Sequence, residues 1–491
     1  MGDSGDRFRR RRPVLEELMR VGGAPGLSVA VMTRGELVYQ DNFGYRDVEA
    51  ALPVNNETIF AGASLTKAVT AAAFSLLVDE GSVTWDTPVK DLLPEFDSRD
   101  GVIKNCLTVT DLLSHRHGLE GNDGYAVSAE NNCLIAKDDV MRFLNTRERV
   151  RPFRGQFAYN NAGYELVGKV IERLSGLSFR DFITKRIFEP LDMSSTYLVT
   201  PPASVNNVAK SYSTLDDGTL AHITAPKMGD DWWGGVSGGM RSNIVDMLKL
   251  YQFFLRSFNT QKGSSKELSL SQGPYLMSSR IPLESISRHE ASYAMGWGRV
   301  QLPGQMGQLG INSVPGGMPI IGKGVPSQLV MFHQGSLAGT LAFVALLPDL
   351  DSIILVLSNS LALNDVPDWI SSGLQNLLWR LIWGGTPESR SSLQNNRPRA
   401  QGPKPLEAYV GTYWGENHIL KIVVTLEDGH LYRSLQGLEA EKVRLHHYEN
   451  DTFTWLTSRN ELNSRALFVG NCPAYWKLVF EAGKNGKIQS L

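Results

Sequence analysis

Apolar β runs stand at both ends of the first 385 residues, and that separation constrains the fold more than any other feature. Gly26 to Met32 and Glu36 to Asn42 flank Arg34-Gly35, the pattern of a hairpin. From Gln328 the pattern returns in Leu329 to Phe332, Gly339 to Leu347 and Ser352 to Leu357. The turn Pro348-Asp349-Leu350-Asp351 separates the last two, so an antiparallel meander is expected. Between them the periodicity is mostly helical, with stretches at roughly 137–146, 161–175, 179–187 and 243–257. The economical solution joins the two strand groups into one antiparallel sheet, flanked by helices over 13–21 and 366–383. The segment of about 85–325 then becomes an inserted, mostly helical domain, and a cleft between the two is a natural ligand site.

Residues 385–405 fall in a stretch rich in Pro, Ser, Asn and Arg and read as a linker. From 406 to 491 short alternating runs recur, with turn signals at Asp428-Gly429 and Asn485-Gly486. The expected architecture is therefore α+β over 13–384, followed by a C-terminal all-β barrel. Residues 1–12 are polar and end in the basic run Arg9 to Arg12, which reads as a solvated, disordered tail. With a net charge of −2, no global field recruits nucleic acid or a membrane. Cys106, Cys133 and Cys472 are too few and too scattered for a disulfide framework or a zinc site. With no secretory leader and no apolar stretch of membrane-spanning length, the expected location is cytoplasmic.

Three short motifs carry the chemistry. Ser64-Leu65-Thr66-Lys67 opens an apolar, Ala-rich helix that stops at Gly81. Positions i and i+3 share a helix face, so Lys67 lies beside Ser64. That pairing describes a serine nucleophile activated by an amine, and equally a serine cap with a lysine nearby. Phe157-Ala158-Tyr159-Asn160-Asn161 precedes the helix that ends at Gly176. Tyr159 is a candidate proton relay and Asn161 a candidate ligand for a substrate carbonyl, unless Tyr159 is a packed ring and Asn160 or Asn161 a helix cap. Met331-Phe332-His333-Gln334-Gly335-Ser336 closes a β run. Gly335 there permits close backbone approach, the N–H of Ser336 can pair with that of Ser64 as an oxyanion hole, and His333 supplies a switchable charge or a hydrogen bond. Gly234 to Gly239 lacks the Gly-Lys-Ser/Thr of a phosphate loop, and His115-Arg116-His117 lacks further metal ligands at recognisable spacing.

Taken in order, Ser-x-x-Lys, Tyr-x-Asn and His-x-Gly resemble the class C β-lactamase and penicillin-binding-protein-like serine hydrolases. Leu112-Leu113-Ser114-His115, Ile187 to Met193, Gly234 to Arg241 and Tyr293-Ala294-Met295-Gly296-Trp297 fit the same pattern, and the tail from 406 resembles the lipocalin-like domain of some members. The resemblance implies that Ser64 is acylated and that Lys67 and Tyr159 share its proton. It further implies that Asn161 and His333 orient the acyl donor, and that the amides of Ser64 and Ser336 bind the oxyanion. No cofactor or metal is implied. Many β-lactamases carry Lys where His333 stands, which turns the expectation away from antibiotics and toward a small-molecule ester or amide. The alternatives are an acyltransferase of secondary metabolism, drawing on a carrier-protein or CoA thioester, and a non-catalytic scaffold.

Overall fold

The computed structural model describes residues 2–490 except 122–126, 226, 230–231, 260–269, 284–289, 313–317, 325, 384–403, 416–419, 450, 456–458, 468–476 and 483–487. Its centre is a nine-stranded antiparallel sheet. The strands are β1 (Gly26–Thr33), β2 (Glu36–Asp47), β3 (Leu52–Pro53), β4 (Ile281–Pro282), β5 (Ala291–Tyr293), β6 (Gly298–Leu302), β7 (Gln328–Leu337), β8 (Thr340–Leu347) and β9 (Ser352–Ser358). Their spatial order is β3-β2-β1-β9-β8-β7-β6-β5-β4, so the N-terminal hairpin and the C-terminal meander meet along β1 and β9. The register there sets Val29 opposite Val356 and Val31 opposite Ile354.

The two-residue period of a strand explains why these runs are apolar throughout. Val29 and Val31 join a core beneath the terminal helices, whereas Ala30 and Met32 join a second core shared with the helical body. The first face is covered by α1 (Gly2–Arg9), α2 (Arg12–Gly22) and α6 (Val366–Trp383). The second meets α3 (Thr66–Asp79), α4 (Asn161–Ser175) and α5 (Ile244–Phe258). Sequence signals fix the helix starts: Asn243 accepts the N–H of Asp246 at 2.8 Å to cap α5, and Asn160 accepts that of Gly163 at 3.0 Å to cap α4.

Three expectations change. The described residues 2–12 are not a disordered tail: α1 is helical, and Phe8 is fully buried and stacks on Tyr39 at 5.9 Å. The arginines of the basic run are exposed, so charge dominated the composition while one ring did the packing. The helical insertion ends before Ile281 rather than near 325, because β4, β5 and β6 add to the main sheet, with Gly298 to Leu302 opposite Phe332 to Gln328. The C-terminal strands do not close into a barrel among the described residues. They form separate sheets of four, three and two strands, with a helix at Arg459–Ser464 beside them. The linker over 385–405 lies outside the described residues apart from 404 and 405.

The C-terminal region is nevertheless seated on the body that carries the main sheet. Arg459 donates to the carbonyls of Thr214 (2.8 Å) and Ala362 (3.2 Å), and Ser128 donates to Glu441 at 2.6 Å. Ala466 packs with Ile223 and Ala338, the latter in the turn between β7 and β8. No helix among the described residues is long and apolar enough to cross a membrane.

Candidate active site

Ser64 stands in a single tight turn, Ala63–Leu65, that leads into α3. Backbone and side-chain bonds clamp this turn from three directions. Gly62 N–H donates to Met240 O at 2.8 Å, Thr66 Oγ1 donates to Ala63 O at 2.7 Å, and Thr340 Oγ1 donates to Ala61 O at 2.9 Å. Ala63 itself has φ +46°, a left-handed conformation that an alanine adopts only when its surroundings impose it. The helix behind the turn is buried on nearly every side, which accounts for its largely apolar, Ala-rich sequence.

Two groups converge on Ser64 Oγ. Lys67 Nζ donates to it at 3.0 Å and Tyr159 O–H at 2.8 Å. Lys67 is fully buried, with Nζ 4.8 Å from the ring centre of Tyr159 and 5.2 Å from that of Tyr164. It also donates to the carbonyl of Ser237 at 2.8 Å, so the side chain is held in a fixed direction. Asn161 is the first residue of α4 and half-buried, two positions beyond Tyr159, while the capping role belongs to Asn160.

The third motif arrives on β7. His333 and Gly335 share the face that looks toward α3, in register with Val344 and Ala342 of β8. A Cβ at Gly335 would stand 2.4 Å from Gly62 O, so only glycine lets β7 lie against the turn that carries Ser64. The pairing with β6 stops at Phe332, which leaves the neighbouring edge of β7 open over residues 333–337. The two-residue turn after Leu337 closes on the Leu337–Thr340 pair. Alternation along the ladder then directs the Ser336 N–H away from β8, toward that open edge.

His333 differs from the expectation of a switchable charge. Its Nδ1 lies 2.6 Å from the carbonyl of Gln334, which can only accept, so Nδ1 carries the hydrogen. Nε2 is then the acceptor and takes the O–H of Tyr293 at 2.9 Å. Burial, reinforced by the charge of Lys67, pushes this imidazole down to about 3. It is a neutral ring with both nitrogens already hydrogen-bonded within the protein.

His115 and His117 also act through the fold. Each Nδ1 accepts a backbone N–H at 3.1 Å, from Asn160 and Leu119 respectively. Burial, with the charge of Lys67 second, lowers His115 well below its ordinary value, and its ring lies 4.3 Å from that of Tyr159. Burial likewise takes His117 down to about 4, against the opposing charge of Asp111. Trp233 is core, edge-on to Phe143, whereas its neighbour Trp232 is exposed.

The site thus brings Ser64, Lys67, Tyr159, His333, Gly335 and Ser336 to one place, with Asn161 at its margin. Sequence reasoning gave no role to Tyr293, Tyr164, Glu165 or Ser237. A readable signal existed for Glu165, a lone carboxylate inside the buried run Ala162 to Gly168.

A family model described as Beta-lactamase matches residues 12–371. The chain belongs to the beta-lactamase family. A second model, a domain of unknown function (DUF3471), matches residues 395–491. Among relatives of this beta-lactamase family member, the unguisins hydrolase ungD of Aspergillus violaceofuscus is 26% identical, covering 89% of this chain and 81% of its own length. The human serine beta-lactamase-like protein LACTB, mitochondrial, is 26% identical over 59% of this chain, which spans 65% of that protein. Among solved structures, the octameric penicillin-binding protein homologue from Pyrococcus abyssi aligns at a TM-score of 0.62, with 23% identity over 92% of this chain and 94% of its own. A class C beta-lactamase from Rhodobacter sphaeroides aligns at 0.58, with 21% identity over 75% and 98%. At these identities the two structures establish the shared fold alone.

Proposed function

We propose that this member of the family is a serine hydrolase that cleaves a small-molecule ester or amide through an acyl-enzyme on Ser64. The observation that carries the reading is the convergence of Lys67 Nζ and Tyr159 O–H on Ser64 Oγ, at 3.0 and 2.8 Å. With Lys67 neutral, Ser64 Oγ attacks the acyl carbonyl carbon while its proton passes to the Lys67–Tyr159 pair. The N–H groups of Ser64 and Ser336 receive the oxyanion. The tetrahedral intermediate collapses, the carbon–oxygen or carbon–nitrogen bond breaks, and the pair returns the proton to the leaving alcohol or amine. Water then repeats the sequence, releasing the carboxylic acid and restoring the Ser64 hydroxyl. The absence of a lysine at the third motif and the neutrality of His333 favour an acyl donor held by shape and neutral hydrogen bonds over one selected by a carboxylate. The hydrolase name of the Aspergillus relative agrees with this direction.

Intact-mass measurement after exposure to a fluorophosphonate, and then to ester, amide and thioester donors, tests the reading. The wild type is expected to gain one adduct and Ser64→Ala none. An adduct that survives in Ser64→Ala removes the assignment. Added alcohols and amines divide hydrolysis from acyl transfer: free acid alone is expected, and a condensed product would move the function to the transferase class.

A further inference from the structure

Glu165 lies on α4, one turn beyond Asn161, and is nearly fully buried. One of its oxygens, Oε1, accepts both the hydroxyl of Ser237 at 2.8 Å and the backbone N–H of Ser237 at 3.2 Å. The N–H of Gly234 donates to the same carboxylate. Ser237 belongs to the one-turn helix Gly235–Gly238, packed between α3 and α4. A Cβ on Gly168 of α4 would meet Val236 at 2.4 Å, and Thr70 of α3 donates to Val236 O at 2.7 Å, so this small helix is gripped by both of its neighbours. Its Ser237 carbonyl is the acceptor that holds Lys67 Nζ at 2.8 Å. A continuous chain of contacts therefore runs from Glu165 through Ser237 and Lys67 to Ser64 Oγ.

We infer that Glu165 is a positioning residue, which fixes the Ser237 carbonyl and through it aims Lys67 at Ser64. The inference rests on the Ser64–Lys67 assignment above and adds the group that keeps the amine in place. A buried carboxylate that served only to fill space would be replaced at no cost by a hydrocarbon of equal volume. One that accepts from Ser237 twice and from Gly234 is irreplaceable by anything without an acceptor oxygen. Burial pushes Glu165 up to about 7, with the Ser237 hydroxyl and the Gly234 and Ser237 amides opposing it and the charge of Lys67 adding least. Its remaining charged surroundings are Lys137, Lys169, Glu172 and Arg180, which share a cavity with it on the side away from Ser64. Whether ionised or protonated, Oε1 remains an acceptor, so the positioning role does not depend on the charge.

The decisive comparison is between Glu165→Gln, which keeps an acceptor oxygen, and Glu165→Met, which keeps the volume and loses it. Both lack the charge, so any difference between them reports the hydrogen bonds. In the wild-type background the acylation rate at saturating donor is expected to fall about 10-fold or more in Glu165→Met and to stay within about threefold in Glu165→Gln, with KM little changed. A readout independent of acyl chemistry comes from placing Ser64→Cys in each variant and titrating the thiol with iodoacetamide. A thiolate is stabilised by a neighbouring ammonium, so a displaced Lys67 raises the thiol pKa. The Met variant is expected about one unit above the Gln variant. Equal thiol pKa values in the two would overturn the inference even if Ser64 is the nucleophile. A wild type that forms no Ser64 adduct, while the thiol difference persists, would instead remove the hydrolase reading and leave Glu165 in its place. Should Glu165→Met not fold, Ser237→Ala, which removes only the hydroxyl arm, takes its place: a thiol pKa equal to that of the otherwise unaltered Ser64→Cys protein counts against the chain of contacts.

Discussion

Tyr293 donates its hydroxyl hydrogen to Nε2 of His333 at 2.9 Å, and that one bond determines what the third motif can do. It comes from β5, a three-residue strand at the far side of the sheet, and it consumes the acceptor nitrogen that a substrate would otherwise meet. Both residues are buried. Tyr293→Phe removes the donor and leaves a buried acceptor unpaired, which costs about 1–3 kcal/mol. A urea titration should show that loss as a lower midpoint with an unchanged slope. A midpoint equal to the wild type would mean that the imidazole finds another partner.

Removing either group that meets Ser64 Oγ should stop acylation without unfolding the chain. Lys67→Ala and Tyr159→Phe are each expected to slow acylation by at least ~100-fold, the usual scale of general acid–base catalysis. Single-turnover mass spectrometry with an activated ester reads this directly. A variant that acylates at the wild-type rate has no part in proton transfer.

Gly335→Ala puts a methyl group 2.4 Å from the Gly62 carbonyl, a backbone atom that cannot swing aside. Either β7 or the turn that carries Ser64 must move. Overpacking of this kind costs about 1–3 kcal/mol, and here the displacement falls on the path between Ser64 and the Ser336 amide. The expected outcome is a folded protein with a lower thermal midpoint and acylation slowed more than substrate binding. Wild-type kinetics would show that the approach is looser than 2.4 Å implies.

Three buried neutral histidines make the protein sensitive to acid. His117 titrates near 4 in the fold and near 6.5 unfolded. Between those values the unfolded chain binds a proton that the folded one refuses, so this stability is whole above pH 6.5 and is lost as pH falls toward 4. Glu165, raised to about 7 by burial, and the mutually neighbouring buried carboxyls Asp365 and Asp368, also raised by burial, act with the opposite sign, since their contribution is present at low pH and is lost as pH rises. Comparing the wild type with His117→Asn isolates the histidine. The variant keeps an acceptor for Leu119 N–H, and its unfolding free energy should rise less steeply between pH 4.5 and 6.5, by up to about 1.4 kcal/mol per unit. Identical slopes would mean that His117 is protonated in the fold.

What was legible in the sequence followed from local pattern. The sheet was visible because strands buried on both faces read as continuous apolar runs, and Val29 to Met32 is such a run. The helices over 161–175 and 244–258 were visible because each carries its own cap, Asn160 and Asn243. The order of the three motifs carried the likeness to a family. What stayed hidden depends on partners distant in the chain. The strands Ile281–Pro282 and Ala291–Tyr293 are too short to show alternation and exist because β6 templates them. His333 looked like a titrating group until Tyr293, 40 positions earlier, occupied its ring. Asn161 looked equivalent to Asn160 as a cap until the helix began between them. Asp428-Gly429 marks the turn between the paired strands Leu420–Glu427 and His430–Leu435, and Asn485-Gly486 lies outside the described residues, but closure is a property of the whole sheet, which alternation in single strands does not encode.

The buried ring of Phe8 has a practical side. Judged by charge, the first dozen residues are the obvious stretch to discard when the chain is trimmed for expression or crystallisation, and Pro13 the obvious place to begin. A protein started there would lose the ring that stacks on Tyr39 and would open a phenyl-sized gap beneath the strand that runs beside β1. Preparations that keep α1 and preparations that drop it should be treated as two different proteins when their melting temperatures or yields are compared.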